Sequence, residues 1–279
     1  MFDAHIHVVP PRVPGAGSLH PRLEESPEVV AGWLCDEMAR AGVSHALALG
    51  AGVTSDDDPL GVERSLAIAD LVPGLLVAGV ADPARADPEH FVRVDEILAT
   101  GRVKALKAYL GYLHYEPGHL NYRRYYELAE QHNLPVIFHA GDTFSAKGKL
   151  RYSQPLLIDD VAVDHPNVRF IIAHMGNPWL NDAAAVVYKN VNVWADLSGL
   201  IVGDEWTEPN DEKRAAFDDL RTDLLKALRY CERPNRILYG SDWPLVPMKE
   251  YAQLIGGWLP EHVRELIFEE NARRLFLKS

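Results

Sequence analysis

The chain has 279 residues, which is close to the upper size of a single globular domain. Its 40 acidic and 28 basic side chains give a formal net charge of −12, which argues against nucleic acid and membrane surfaces as partners. No apolar run approaches the roughly 20 residues of a transmembrane helix. The N-terminal M-F-D-A-H-I-H lacks the basic start of a signal peptide, and only Cys35 and Cys231 occur. We therefore expect a cytoplasmic protein without disulfide bonds.

Short β-branched runs alternate with longer amphipathic stretches along the chain. The strand candidates are 1–8, 44–50, 75–80, 103–109, 135–139, 168–174, 191–197 and 236–239. Between them, 29–42 and 122–133 have apolar residues at helical spacing, and Gly42 provides a C-terminal stop. Eight strands that alternate with helices predict a (β/α)8 TIM barrel, as one domain over residues 1–279. An open doubly wound sheet is the second choice, but no G-x-G-x-x-G follows a strand. The most loop-like segment is 203–214.

The first strand candidate has an unusual polar face. With a period of two, Asp3, His5 and His7 share one side. The other side is apolar and consists of Phe2, Ala4, Ile6 and Val8. We expect that apolar side to face the surrounding helices, so that both imidazoles point into the barrel. A single histidine in such a place is more often structural, but two at this spacing favour a metal site.

Three further strand candidates end at a titratable residue. These residues are His139, His174 and Asp242. Because active sites of such barrels form at the carboxyl ends of the strands, we expect all three at the mouth. Three other histidines precede strands and are interpreted as structural: His45, His132 and His165. The pattern leaves open the roles of His114 and His119, which follow the fourth strand.

In this order, the D-x-H-x-H of residues 3–7, His139, His174 and Asp242 resemble the amidohydrolase superfamily. The pattern is most similar to its amidohydrolase-related (amidohydrolase 2) branch, which includes aminocarboxymuconate-semialdehyde decarboxylase. The resemblance covers essentially the whole chain, to the N-A-R-R-L-F of residues 271–276. It implies one divalent metal bound by His5, His7, His139 and Asp242, with His174 as the catalytic acid or base.

The donor set and its chemistry can be argued separately. Neutral imidazoles with a carboxylate suit Zn²⁺ best, with Mn²⁺, Fe²⁺ or Co²⁺ as alternatives. Such a cation lowers the pKa of its water to about 7, and Asp242 then takes the proton and returns it to the leaving group. His174 is expected to polarise a substrate carbonyl.

The fourth strand candidate places Lys107 and Tyr109 on an inward face near the mouth. Binuclear relatives use a carboxylated lysine of this strand to bridge two metals. We instead predict that Lys107 pairs with Asp3 or binds a substrate carboxylate, because this branch is usually mononuclear. Tyr109 and Trp243 are further candidates for substrate contact, although Trp243 also suits ordinary packing.

Three weaker patterns in the sequence concern residues that follow the fifth, sixth and seventh strand candidates or lie at their ends. Asn177 before Pro178 is typical of a helix N-cap. The loop 141–152 suits an acidic substrate or simply a solvated surface, through Lys147, Lys149 and Arg151. Asp196 and Ser198 end the seventh strand candidate and are candidates for lining the pocket.

The sequence thus predicts a metal-dependent hydrolase that cleaves a C–N or C–O bond in an amide, lactone or ester of a small molecule. The alternative is a nonoxidative decarboxylase of a cyclic or unsaturated carboxylic acid. A metal-binding scaffold without catalysis and a metal-free lactonase are further alternatives. A homo-oligomer is compatible with the sequence.

Overall fold

Eight parallel strands form a barrel in the computed structural model, which describes residues 1–52, 54–203 and 210–277. Each strand pairs with the next along the chain. The strands are β1 (Phe2–Ile6), β2 (His45–Leu49), β3 (Leu75–Val80), β4 (Val103–Ala108), β5 (Pro135–Phe138), β6 (Arg169–Ile172), β7 (Val193–Asp196) and β8 (Ile237–Leu238). The amide of Ala4 donates to the carbonyl of Tyr239 at 2.9 Å, and the amide of Asp242 donates to the carbonyl of His5 at 2.8 Å. These bonds join β1 to the chain at and after β8, and the predicted (β/α)8 barrel is confirmed.

Helices connect the strands as the sequence predicts. They are α1 (Pro27–Ala41), α2 (Glu63–Ala69), α3 (Pro88–Ala99), α4 (Leu120–Gln131), α5 (Leu157–Asp164), α6 (Leu180–Lys189), α7 (Asp211–Cys231), α8 (Met248–Trp258), α9 (Glu261–Glu265) and α10 (Asn271–Phe276). Gly42 ends α1 with a φ of 70°, a left-handed conformation that glycine adopts without steric cost. Within the described residues, no helix is long and apolar enough to cross a membrane.

The loop-like segment 203–214 is only partly described. Residues 204–209 lie outside the described residues. Asp211 to Arg214 form the first turn of α7, so the loop prediction is wrong there. Asn210 caps this helix because its side chain accepts a hydrogen bond from the amide of Lys213.

A bulge in β1 corrects the expected orientation of its first residues. Asp3 pairs with Ala46 and Ile6 with Ala48, so three steps along β1 match two steps along β2. Phe2 and Ala4 therefore pack inside the barrel, in one cluster with Leu47, Ala105, Ile137, Ile171 and Leu238. Ile6 and Val8 do face the helices and pack with residues of α1. Because of this extra residue, the apolar side chains of Phe2 and Ala4 lie inside the barrel, and the imidazoles of His5 and His7 also lie inside it, closer to the mouth.

The amino-terminal end of the barrel is covered by α10. Ala272, Leu275 and Phe276 of this helix belong to the same interior cluster, and the ring of Phe276 stacks on Phe2 at 5.7 Å. The apolar layer therefore separates the floor of the barrel from its mouth, where the polar residues gather.

Candidate active site

The predicted site residues converge at the carboxyl end of the barrel. His5 and His7 lie at the end of β1, His139 directly follows β5, and His174 and Asp242 follow β6 and β8. All five line one cavity of about 250 Å³. His174 and Asp242 have positive φ angles of 58° and 70°, which bulky residues adopt at a cost in free energy. These strained backbone conformations occur where the chain turns the two side chains toward the cavity.

Asp242, His5 and His7 form a compact cluster that suits a metal ion. Oδ1 of Asp242 lies 3.3 Å from Nε2 of His7 and 3.6 Å from Nε2 of His5. All three donor atoms lie within 4.8 Å of one another. Oδ1 of Asp242 and Nδ1 of His7 are buried and have no hydrogen-bond partner among the described residues. Because an unsatisfied buried carboxylate oxygen is costly, these residues fit a divalent cation.

The electrostatics of the cluster agree with this donor set. Burial raises the pKa of Asp242, but the neighbouring imidazoles of His7, His5 and His174 outweigh burial and bring it well below the usual range. Burial lowers the pKa of His5 to about 4. A carboxylate beside neutral imidazoles is the protonation state that a metal ion requires.

Asp196 orients His5 from behind. Its Oδ2 accepts a hydrogen bond from Nδ1 of His5 at 2.9 Å, which leaves the lone pair of His5 on Nε2, toward Asp242. Oδ1 of Asp196 accepts from the amides of His174 and Ser198, each at 3.0 Å, and from the hydroxyl of Ser198. The sequence predicts that Asp196 and Ser198 line the pocket, and this prediction is wrong because neither lines the cavity. Both residues lie behind His5 and His174 and form hydrogen bonds with them.

His174 is positioned by Ser198. Its Nδ1 lies 3.1 Å from the carbonyl oxygen of Ser198 and 2.9 Å from the hydroxyl oxygen. A carbonyl can only accept, so Nδ1 carries the proton and Nε2 is the free nitrogen of the neutral ring. Burial lowers the pKa of His174, which favours this neutral form. In this form Nε2 is able to accept a proton. Polarising a carbonyl, the role that the sequence predicts for His174, needs a protonated ring and stays a prediction.

His139 is oriented differently from the other histidines. Its Nε2 donates to the carbonyl oxygen of Asp142 at 2.8 Å, which leaves Nδ1 as its acceptor atom. His139 lines the cavity, and its ring lies 5.0 Å from that of His174. The described residues contain two close groups of possible ligand atoms, in which His5 lies either with His7 and Asp242 or with His174 and Asp196. His139 belongs to neither group. Its role as a fourth ligand stays a prediction.

Lys107 is a buried cation in the same cavity. It is 1% exposed, and its Nζ has no hydrogen-bond partner in the described part of the chain. Burial lowers its pKa to about 8, while the charges of Asp196 and Asp242 act in the opposite direction. The predicted pairing with Asp3 is wrong, because Nζ of Lys107 and Oδ2 of Asp3 both lack a partner among the described residues. Oδ1 of Asp3 accepts from the amides of Ser241 and His5.

Of the other two candidates for substrate contact, Tyr109 lines the cavity and Trp243 does not. Tyr109 lines the cavity beside Lys107, with Nζ 5.4 Å from its ring centre, and its hydroxyl donates to the carbonyl of Gly50. Trp243 packs on Trp33 at 4.3 Å and does not line the cavity, which favours the packing interpretation.

Asn177 lines the cavity and does not cap a helix, because α6 begins at Leu180 and has Trp179 at its N-cap. Its main-chain carbonyl accepts the amide of Asp142 instead. The N-cap prediction is therefore wrong. Through this hydrogen bond, Asn177 connects the loop that follows β6 to the loop that follows β5.

Histidines outside the cavity have local roles. Nε2 of His114 bonds the carbonyl of Lys147 at 2.9 Å, and the side chain of His119 caps α4. The basic side chains of loop 141–152 do not line the cavity, to which this loop contributes Asp142 and Phe144.

The apolar wall of the cavity was missed by sequence reasoning. It comes from loops that follow β1, β4, β5, β7 and β8, through Pro11, Val13, Ala16, Leu19, Tyr112, Phe144, Leu200, Val202 and Leu245. Position after a strand is the signal that could have identified it, because those loops form the mouth of a barrel. The cavity is therefore small and mostly apolar. Its polar surface carries the cluster of His5, His7 and Asp242, the imidazole of His174 and the ammonium group of Lys107.

Comparisons with known proteins agree with this architecture. The model of the amidohydrolase family matches residues 2–277. No curated protein sequence matches the chain significantly. Among solved structures, a probable 2-pyrone-4,6-dicarboxylic acid hydrolase from Acinetobacter baumannii is 13% identical, with a TM-score of 0.69 over 99% of both chains.

Two further solved structures are similar. A zinc-bound amidohydrolase from Burkholderia multivorans is 17% identical, with a TM-score of 0.68 over 100% of this chain and 99% of that chain. A 5-carboxyvanillate decarboxylase from Sphingomonas paucimobilis is 14% identical, with a TM-score of 0.65 over 95% of this chain and 88% of that chain. At these identities the likeness shows the barrel fold.

Proposed function

Because the chain belongs to the amidohydrolase family, we propose that it is a metal-dependent hydrolase that cleaves a C–N or C–O bond of a small molecule. The observation that carries this proposal is the unpartnered Oδ1 of Asp242, which faces the Nε2 atoms of His5 and His7 at the surface of the cavity. The cavity volume of about 250 Å³ suits a small substrate such as a lactone, an ester or an amide.

The metal proposed here is one divalent cation, with Zn²⁺ as the first choice, held by His5, His7 and Asp242, with His139 as a fourth ligand. When bound, such a cation supplies a water of lowered pKa and polarises a carbonyl group. Zinc bound by a similar structure supports this choice.

The chain's own residues would handle the protons of the reaction. Asp242 has two oxygens: Oδ1 faces the Nε2 atoms of His5 and His7, and Oδ2 lies 4.0 Å from Nδ1 of His174. We assign to Asp242 the removal of a proton from the attacking water and its return to the leaving atom. His174 offers Nε2 as a second proton acceptor, and its ring is held by Ser198.

Asp242→Asn tests the hydrolytic role. The amide keeps an oxygen for the metal but cannot accept the proton, so turnover should fall by at least about 100-fold while metal affinity falls less. The measurement is hydrolysis of a panel of lactones, esters and amides by zinc-loaded protein, with zinc content determined in parallel. Asp219→Asn, at an exposed position of α7 outside the cavity lining, is the control. Near-normal hydrolysis by Asp242→Asn would exclude Asp242 as the proton acceptor.

One observation favours nonoxidative decarboxylation as the second candidate function. The unpaired ammonium group of Lys107 would hold the carboxylate of an acid substrate at the cluster. A decarboxylase also occurs among the similar structures. Release of CO₂ from cyclic or unsaturated acids, without hydrolysis in the lactone, ester and amide panel, would select this candidate over the hydrolase.

A further inference from the structure

A second cavity lies at the opposite end of the barrel from the catalytic site. It has a volume of about 470 Å³ and is formed where β6, β7 and β8 begin, beside α10. Arg169 opens β6, Arg236 directly precedes β8, Trp194 belongs to β7, and Arg274 belongs to α10. Arg233 contributes a fourth guanidinium group.

This floor cavity concentrates positive charge. Four of its lining residues are arginines, and none is an aspartate or glutamate, although acidic residues outnumber basic ones 40 to 28 in the chain. Within the described residues, none of the four arginines forms an ion pair with a carboxylate, unlike Arg40, Arg102 or Arg124 elsewhere on the surface. A cluster of like charges without counter-charges creates a local positive potential that attracts anions.

The hydrogen bonds of these arginines go to neutral groups. Arg236, which is 6% exposed, donates to the main-chain carbonyls of Asn190 and Val193. Arg169 donates to the main chain and the side chain of Asn133. These two guanidinium groups are therefore held in place by the fold, while their charge is not neutralised.

The other two arginines, Arg233 and Arg274, each form a single side-chain hydrogen bond within the described residues. Arg274 donates to Oδ1 of Asn271. Arg233 donates to the carbonyl of Glu232 at 3.0 Å and lies over the ring of Tyr188 at 5.0 Å. Since a guanidinium carries five N–H donors, Arg233 and Arg274 each keep donors for a further acceptor.

Burial strengthens the effect of these charges. Burial lowers the pKa of Arg169, and burial together with the neighbouring charge of Arg233 lowers the pKa of Arg236. Both guanidinium groups are thus partly desolvated, and neither has a carboxylate partner within the described residues. An anion in this cavity would relieve both effects.

We infer that the floor cavity binds a small organic molecule with at least two anionic groups, either carboxylates or phosphates. Two anionic groups match four guanidinium groups, which bind such oxygens in bidentate fashion. Trp194, Leu275 and the exposed Val191 give the cavity an apolar side for the carbon part of the ligand. This inference is independent of the proposed reaction, because it concerns the other end of the barrel.

The test is calorimetric titration of the whole protein with pyrophosphate and, separately, with propane-1,2,3-tricarboxylate, at low ionic strength. Wild type should bind at least one of these probes with a Kd below about 1 mM, and saturating probe should raise Tm by at least about 2 °C. The probe that binds more tightly distinguishes a phosphate ligand from a carboxylate ligand.

Arg233→Gln/Arg274→Gln should weaken binding at least 10-fold, because it removes two charges and leaves in place Arg169 and Arg236, which are held by the fold. Arg123→Gln/Arg124→Gln, on the exposed surface of α4, makes the same change in net charge and should bind as wild type does. If the first double variant does not fold, Arg274→Gln alone should weaken binding at least 3-fold. Absence of saturable binding to wild type, or equal binding by wild type and the cavity variants, would overturn the inference.

Discussion

Asp196 determines which nitrogen of His5 faces the cluster. Because Oδ2 of Asp196 accepts from Nδ1 of His5, the lone pair of that ring is on Nε2, 3.6 Å from Asp242. Burial raises the pKa of Asp196, but the charge and hydrogen bond of His5 outweigh it and lower the pKa below its usual range. Asp196 is therefore a carboxylate that stabilises one tautomer of His5 without contacting the cavity.

Asp196→Asn should weaken metal binding by about 10- to 100-fold, because the amide no longer selects the His5 tautomer that offers Nε2. Zinc titration in competition with a chelator measures the change. Asp159→Asn, which alters a partly exposed ion pair with Lys189, should leave zinc affinity unchanged. Equal affinity in wild type and Asp196→Asn would show that Asp196 does not control the ligand.

The sequence could identify the donors but not how they are oriented. Ligand type and position at strand ends singled out His5, His7, His139, His174 and Asp242, because both features are local. The hydrogen bond from His139 to Asp142 and the unpaired state of Lys107 depend on the packing of several loops. Such contacts between distant segments leave no pattern in the sequence.

The strands and their order were predictable, whereas the bulge in β1 was not. Hydrophobic periodicity places a strand wherever apolar residues alternate, and all eight candidates correspond to strands of the barrel. A two-residue period assumes an unbroken ladder, however, so it placed Phe2 and Ala4 outside. The register shift between Asp3 and Ile6 arises from pairing with β2, which a single strand pattern does not contain.

Close approach between strands makes Gly240 a sensitive position of the barrel. A Cβ atom there would lie 2.7 Å from Cβ of His5 and 3.0 Å from Cβ of Ser198. Gly240→Ala should therefore displace His5, lower the free energy of unfolding by about 1–3 kcal/mol and weaken zinc binding. Urea denaturation and zinc titration measure the two effects.

Gly32→Ala is the matched control for Gly240→Ala. Gly32 lies within α1, and a Cβ there would meet nothing within 4 Å, so alanine should raise the free energy of unfolding by up to about 1 kcal/mol. If Gly240→Ala is as stable as wild type and binds zinc equally well, close packing around His5 does not position the ligand.

At the scale of the whole molecule, α10 stabilises the barrel from its floor. Phe276 is 6% exposed and packs with interior residues of the strands. Phe276→Ala should lower the free energy of unfolding by about 3 kcal/mol, whereas Leu277→Ala, 38% exposed, should change it by less than about 1 kcal/mol. Urea denaturation compares the two variants. Similar small effects would mean that α10 contributes little to the barrel's stability.

The two ends of the barrel thus differ in the side chains that they present. The mouth collects donor atoms around a small apolar cavity, while an apolar layer separates it from a floor that carries uncompensated arginines. At the mouth, we propose that the cluster of His5, His7 and Asp242 binds a metal ion.

Metal content per chain tests this claim most directly. Protein supplemented with zinc and then freed of excess ion should contain about one zinc per chain by elemental analysis, because the two close groups of donor atoms in the described residues share His5. His7→Ala should lose most of this zinc, and His262→Ala, an exposed residue of α9, should retain it. Two zinc ions per chain would indicate a carboxylated Lys107 as a bridge. Absence of zinc from wild type, or equal zinc in wild type and His7→Ala, would contradict the account.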